Sequence, residues 1–118
     1  MTPSSEPFTA SVVEHDGETS VVLTGELDMA SSPDLTNALE TVIEKGSTEV
    51  VIDFAGLSFI DSSGLAVLVR AQNTLTEQGR HLSVRSPGRH ARRVFEIAGL
   101  EAFLDVRAEP TEETLSSE

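Results

Sequence analysis

With 118 residues and a formal net charge of −12, the chain has room for one domain with a real core but not for two. So large an excess of acids excludes a general nucleic-acid binder, because phosphates would be repelled from most of the surface. Cysteine is absent, which excludes a disulfide framework, a thiolate metal site and a cysteine nucleophile, and no apolar run reaches the roughly 18 residues of a membrane span.

Residues 1–7 are rich in Pro, Ser and Thr, without the basic region and apolar stretch of a signal peptide, and are expected to be a loose tail on a cytoplasmic protein. Phe8 to Val13 and Ser20 to Leu23 alternate in part between apolar and polar residues. The Asp16-Gly17 pair between them predicts an antiparallel hairpin with a two-residue turn. The second strand runs out into Gly25-Glu26-Leu27-Asp28, which in isolation is ordinary loop composition.

Ser31-Ser32-Pro33-Asp34 opens a helix: a serine cap, Pro in the first turn and an acid beside it. Leu35, Ala38, Leu39, Val42 and Ile43 form its buried stripe, Glu40 and Glu44 face outward, and Gly46 ends it. Val50 to Phe54 is a short apolar run suited to a strand buried on both faces, followed by a brief loop at Ala55-Gly56. Phe59 and Ile60 lead into Asp61-Ser62-Ser63-Gly64, whose side-chain oxygens suit a helix start. Leu65, Leu68, Val69 and Leu75 then recur at helical spacing up to a stop at Gly79.

His81 to Arg85 predicts a further strand, Ser86-Pro87-Gly88 a turn, and Arg89 to Ala98 a helix that buries Ala91, Val94, Phe95 and Ala98 and stops at Gly99. Phe103 to Val106 is the expected last strand. Residues 109–118 form a polar tail or a short helix opened by Pro110, with Leu115 as its one apolar anchor. Strands alternating with helices imply an α/β fold, with a mixed, mostly parallel sheet of about five strands opened by the hairpin and three to four helices on right-handed crossovers.

Charge is unevenly spread. Residues 1–79 hold 13 acids and two bases, whereas residues 80–93 hold five arginines (Arg80, Arg85, Arg89, Arg92 and Arg93) and no acid. That island is either a solvated face offsetting acidic neighbours or the one place that would welcome an anion. Catalytic readings fare poorly. The glycines around Ser58 and Ser62 do not make a G-x-S-x-G elbow, and His15, His81 and His90 fall in a turn, at a strand start and in a basic helix, with His81 and His90 read as surface residues. Lys45 is the only lysine, so no P-loop exists. Asp53 ends the apolar strand as a receiver aspartate would, but an acidic pair after the first strand and a late lysine are both missing. What remains is Ser62 and Ser63, two hydroxyls beside the Asp61 carboxylate at the positive end of a helix dipole; the plain reading of either is a cap.

Phe59-Ile60-Asp61-Ser62-Ser63-Gly64-Leu65 resembles the signature of the STAS domains that act as anti-sigma factor antagonists, and Gly25-Glu26-Leu27-Asp28 resembles the G-x-L-D element that ends their second strand. The resemblance spans residues 8–108 as a single STAS-type domain, although the family's final helix is more apolar than the polar end here. It implies a protein-binding switch that is not an enzyme and needs no metal or cofactor. The unmodified form would bind an anti-sigma factor that is also a serine kinase, freeing a sigma factor. Phosphorylation of Ser62 at the expense of ATP would end binding, and a PP2C-type phosphatase would reset it. The implied partner face comprises Gly25, Glu26, Leu27 and Asp28 beside Asp61, Ser62, Ser63 and Gly64, with Asp28 expected to be a surface residue whose charge can be reversed without loss of fold. The alternative is a STAS module of another signalling or lipid-transport complex, in which phosphorylation would be incidental.

Overall fold

The computed structural model describes residues 7–107; apart from Pro7, the expected tails at 1–7 and 109–118, and the terminal helix proposed for the latter, lie outside the described residues. Strand β1 (Thr9–His15) and strand β2 (Glu18–Leu27) form the hairpin, and Asp16 and Gly17 both take positive φ, 54° and 82°, as a tight type I′ turn demands. Helix α1 (Ser32–Lys45), strand β3 (Glu49–Ile60), helix α2 (Ser62–Glu77), strand β4 (His81–Arg85), helix α3 (Arg89–Ala98) and strand β5 (Val106–Arg107) follow. The sheet order is β1-β2-β3-β4-β5, antiparallel in the first pair and parallel thereafter. The α/β architecture and the mixed five-stranded sheet are those expected, with three helices among the described residues.

The core is one cluster drawn from every layer. Val50, Val51, Ile52 and Phe54 of β3 are buried, Leu35, Leu39 and Val42 come from α1, and Val67, Leu68, Ala71 and Leu75 from α2. Phe95 of α3 packs on Phe54 with ring centroids 5.7 Å apart. Val21, Leu23 and Leu27 of β2 and Leu82 and Val84 of β4 belong to the same cluster, and burial of each such valine, leucine, isoleucine or phenylalanine contributes about 1.5–3 kcal/mol. Thr19, Gln72 and Ser83 are the buried polar residues, and Gln72 is tied in on both sides: its Nε2 donates to Leu82 O at 3.0 Å and Phe103 O at 2.8 Å, and its Oε1 accepts from Leu82 N at 3.2 Å.

Four local expectations need correction. The chain does not loop at Ala55-Gly56; β3 continues to Ile60, absorbing irregularities in its register with β2 between Val22 and Thr24 and again between Gly25 and Glu26. A Cβ on Gly56 would meet Thr24 Cγ2 at 3.0 Å and Leu23 O at 3.1 Å, so the glycine marks a close approach of two strands within a bulge. Residues 101–105 turn, with Leu104 N on Leu100 O and Val106 N on Glu101 O, and leave only Val106–Arg107 as strand; Leu104 is apolar because it plugs the core from that turn. In α3 only Ala91 and Phe95 are buried, Val94 being half-buried and Ala98 exposed. His81 is no bare surface residue either: it is half-buried, with Nε2 2.6 Å from Asp105 Oδ2.

Candidate recognition and modification site

The parallel pairing of β2 with β3 sets Glu26 beside Phe59 and Leu27 beside Ile60, so the two quoted motifs end at the same edge of the sheet. Asp61 N donates to Leu27 O at 3.1 Å, extending that pairing by one bond past the strands. Ser58 Oγ donates to Gly25 O at 3.1 Å, and Gly25 itself holds a φ of 85°. The segments 25–28 and 61–64 are therefore neighbours in space. They are not uniformly exposed: Leu27 is fully buried and Gly64 is buried against it. A Cβ on Gly64 would stand 2.5 Å from Leu27 Cγ and 3.2 Å from Ile60 Cγ1, so only glycine lets α2 begin this close to the end of β2. Leu27 and Gly64 thus shape the face from below.

Asp61 is the N-cap of α2. In extended backbone geometry (φ −115°, ψ −172°) its Oδ1 accepts from Ser63 N at 2.9 Å and Gly64 N at 3.3 Å. With the carboxylate taking that role, neither serine hydroxyl is needed as a cap. Ser62, in the first turn, is exposed and its hydroxyl makes no hydrogen bond to a described residue; Ser63 is half-buried and contributes its N–H to the helix start. The plain reading of Ser62 as a cap is thereby removed.

Asp28 differs from expectation. It is half-buried, and its Oδ1 accepts from Ala30 N at 3.0 Å, Ser31 N at 3.1 Å and Ser31 Oγ at 3.0 Å. The Ser31 hydroxyl, with backbone donors beside it, holds the Asp28 carboxyl below its ordinary value of 3.8. Asp28 therefore folds the turn between β2 and α1 as well as bordering the face, and the turn leaves Met29 with 74% of its surface exposed. Glu26 is half-buried at the same edge.

Sequence reasoning missed a third contributor. His90, at the start of α3, stacks on Phe59 with ring centroids 4.9 Å apart, and its Nε2 lies 3.0 Å from Ile60 O, one residue before the capping aspartate. No local pattern announces that contact, because it joins positions 30 apart. The arginine island is not a single anion site. Arg80 Nε donates to Ser47 O, Arg85 stands 3.6 Å from Asp53, and Arg89, Arg92 and Arg93 lie exposed along α3. Among the described residues no His, Cys, Asp and Glu group could hold a metal ion, and no helix is long and apolar enough to cross a membrane.

Comparison with known proteins gives this geometry a family. Residues 10–106 match the family model described as "Mlab, STAS domain". The chain is 30% identical over 94 residues to the anti-sigma-B factor antagonist of Staphylococcus epidermidis, covering 80% of this chain and 87% of that one. It is 30% identical over 97 residues to the protein of the same name from Bacillus subtilis, covering 82% and 88%. Among solved structures it resembles an anti-sigma factor antagonist from Mycobacterium paratuberculosis, with a TM-score of 0.78, 28% identity and coverage of 94% and 93%. It also resembles the Bacillus cell fate determinant SpoIIAA in both states. The TM-score is 0.73 for the unphosphorylated form, at 25% identity over 94% and 95% of the chains, and 0.67 for the phosphorylated form, at 26% identity over 94% and 97%. The chain belongs to the STAS domain family.

Proposed function

We propose that this chain is an anti-sigma factor antagonist that works by partner switching, itself a substrate and not an enzyme. Its unmodified form binds an anti-sigma factor with serine kinase activity and so releases a sigma factor in the cytoplasm. The kinase moves the γ-phosphoryl group of ATP to Ser62 Oγ, with ADP leaving and the hydroxyl proton lost, and the modified form no longer binds. A PP2C-type phosphatase hydrolyses the ester and restores the switch. The observation that carries this reading is the Ser62 hydroxyl: exposed, without a partner among the described residues and adjacent to an aspartate that has taken over the capping role.

The switch is electrostatic and local. A phosphate adds about −1.5 to −2 charges. The helix dipole favours it by roughly 0.3–1 kcal/mol, but Asp61 already occupies the N–H groups of Ser63 and Gly64 and repels it. The free domain therefore keeps its fold, which accords with the similarity of this chain to SpoIIAA in both states. Against a partner that excludes water, an unmatched buried charge costs on the order of 2–5 kcal/mol, enough to end binding. The partner face comprises Glu26, Asp28, Asp61, Ser62 and Ser63 at its surface, with Gly25, Leu27 and Gly64 supporting them.

The test is phosphopeptide mapping after incubation with ATP and the anti-sigma factor kinase of the same genome, together with binding of Ser62→Ala and Ser62→Glu. Phosphate on Ser62, retained binding by Ser62→Ala and lost binding by Ser62→Glu are expected. Phosphate on Ser63 alone would overturn the assignment. No phosphorylation and no binding would leave the chain as a STAS module of another signalling or lipid-transport complex.

A further inference from the structure

Strand β3 outruns its neighbour on one side. β2 accompanies it as far as Ile60, whereas β4 pairs with it only from Glu49 to Asp53, and the chain then turns away through Ser86-Pro87-Gly88. From Phe54 onward the other edge of β3 has no strand beside it among the described residues, and its backbone groups need other partners. His90 supplies one. The peptide joining Ile60 to Asp61 is trans, so its N–H and C=O point to opposite sides. On the β2 side the Asp61 N–H donates to Leu27 O at 3.1 Å, and on the other Ile60 O lies 3.0 Å from His90 Nε2. A carbonyl only accepts, so Nε2 carries the hydrogen and donates it. The donor is itself well held. Its ring stacks on Phe59 with 17° between the planes, and Ala91 and Phe95 bury the same helix against the core.

Resting on the partner-switching reading above, we propose that His90 is a positioning residue for the modification of Ser62: it pins the peptide plane that enters the Asp61 turn, standing in for the strand that β4 does not provide. The effect runs through Asp61. With that plane held from both sides, the Asp61 side chain starts from a set position, reaches the amides of Ser63 and Gly64, and leaves the Ser62 hydroxyl on a fixed frame. A hydroxyl that must align with a γ-phosphoryl group loses rate when its frame swings, even while it stays exposed. Removing the donor leaves Ile60 O without its side-chain partner and frees the plane to rotate about its one remaining bond, to Leu27. His90 acts through Ile60 O and takes no part in the phosphoryl transfer itself.

The full chain is assayed as substrate of the purified anti-sigma factor kinase of the same genome with ATP, and kcat and KM are measured. His90→Phe keeps a ring on Phe59 and removes the donor, His90→Gln restores an amide donor at similar reach without the ring, and Val94→Ala loosens the packing of α3 without touching either. For His90→Phe, kcat is expected to fall about fivefold or more with KM within about twofold of wild type. His90→Gln should recover to within about twofold, and Val94→Ala should melt lower yet be phosphorylated like wild type. In spectra of the free domain the Asp61 amide nitrogen, in the same peptide group as Ile60 O, should shift with His90→Phe and return with His90→Gln. Should His90→Phe fail to fold, His90→Asn, whose shorter amide does not reach Ile60 O, takes its place in every comparison. An unchanged kcat, a loss confined to KM, or His90→Gln as slow as His90→Phe overturns the positioning role and leaves the switch reading standing. So does Val94→Ala as slow as His90→Phe, because the rate would then follow the packing of α3 and not the donor. If wild type is not phosphorylated on Ser62, the switch reading falls and the positioning role falls with it.

Discussion

The starts of α1 and α2 use the same residue types and reach opposite outcomes. Before α1, the Asp28 carboxylate and the Ser31 hydroxyl bond to each other, and Ser31 Oγ also donates to Glu26 O at 3.0 Å and accepts from Asp28 N at 2.9 Å. Asp28 Oδ1 and the Ser31 hydroxyl are both spent on the turn itself, and Ser31, though in the N-cap position, makes no side-chain cap bond. At α2 the Asp61 carboxylate takes the cap bonds from Ser63 N and Gly64 N, and the Ser62 hydroxyl is left over. Ser62 stays exposed with no hydrogen bond to a described residue because its neighbouring carboxylate does the structural work. The difference lies in spacing: Asp28 precedes its serine by three residues and turns back onto it, whereas Asp61 precedes Ser62 directly and faces the first-turn amides.

The comparison can be broken most severely at Gly64, whose glycine holds α2 against Leu27. Gly64→Ala is expected to lose about 1–3 kcal/mol in urea denaturation, because the added Cβ overlaps Leu27. Asp61→Ala removes the cap and should lose about 0.5–2 kcal/mol; if it does not, Ser62 has taken over the cap and the two helix starts are interchangeable after all. Ser31→Ala opens the α1 turn and should lose about 0.5–1.5 kcal/mol on the same assay.

Acid should act on the α1 turn through Asp28, held below its ordinary value of 3.8 chiefly by the Ser31 hydroxyl, and on the β5 end through Asp105, held low chiefly by the Arg107 guanidinium. Both carboxyls have lowered folded values, so their stabilisation is present in full above the ordinary value and is lost as pH falls below about 3.8 through the folded values. Urea midpoints followed from about pH 6 to pH 2 should drop over that acid range, and less so in an Asp28→Asn, Asp105→Asn double variant. The smallest effect belongs to Ser62→Ala, which removes a hydroxyl with no described partner and should change stability by less than about 0.5 kcal/mol. A larger loss would show that Ser62 is structural and would end the contrast with Ser31.

Much of the fold is written in local chemistry. The Asp16-Gly17 turn, the α1 stripe ending at Gly46, the β4 segment and the Gly99 stop each follow from backbone preference or helical period, which neighbouring residues set among themselves. The aspartate at the start of α2 and the serines beside it were legible for the same reason. Tertiary structure decided what pairwise contact across the sheet decides. Gly56 reads as a loop because glycine usually breaks a strand, yet β2 approaches it so closely that glycine is what allows β3 to continue. Phe103-Leu104 reads as a strand because its apolar character is visible but its destination is not; Leu104 turns inward and Gln72 holds the neighbouring carbonyl. Helical spacing in α2 does not say which apolar residues are covered: Leu68 and Leu75 are core together with Val67 and Ala71, while Leu65 and Val69 stay half-exposed beside Leu100. Residue types establish that a carboxylate and two hydroxyls stand at a helix start. Which hydroxyl stays free, and which apolar side chains stand uncovered beside it, depends on hydrogen bonds and packing between segments distant in sequence, and only the folded chain brings those together.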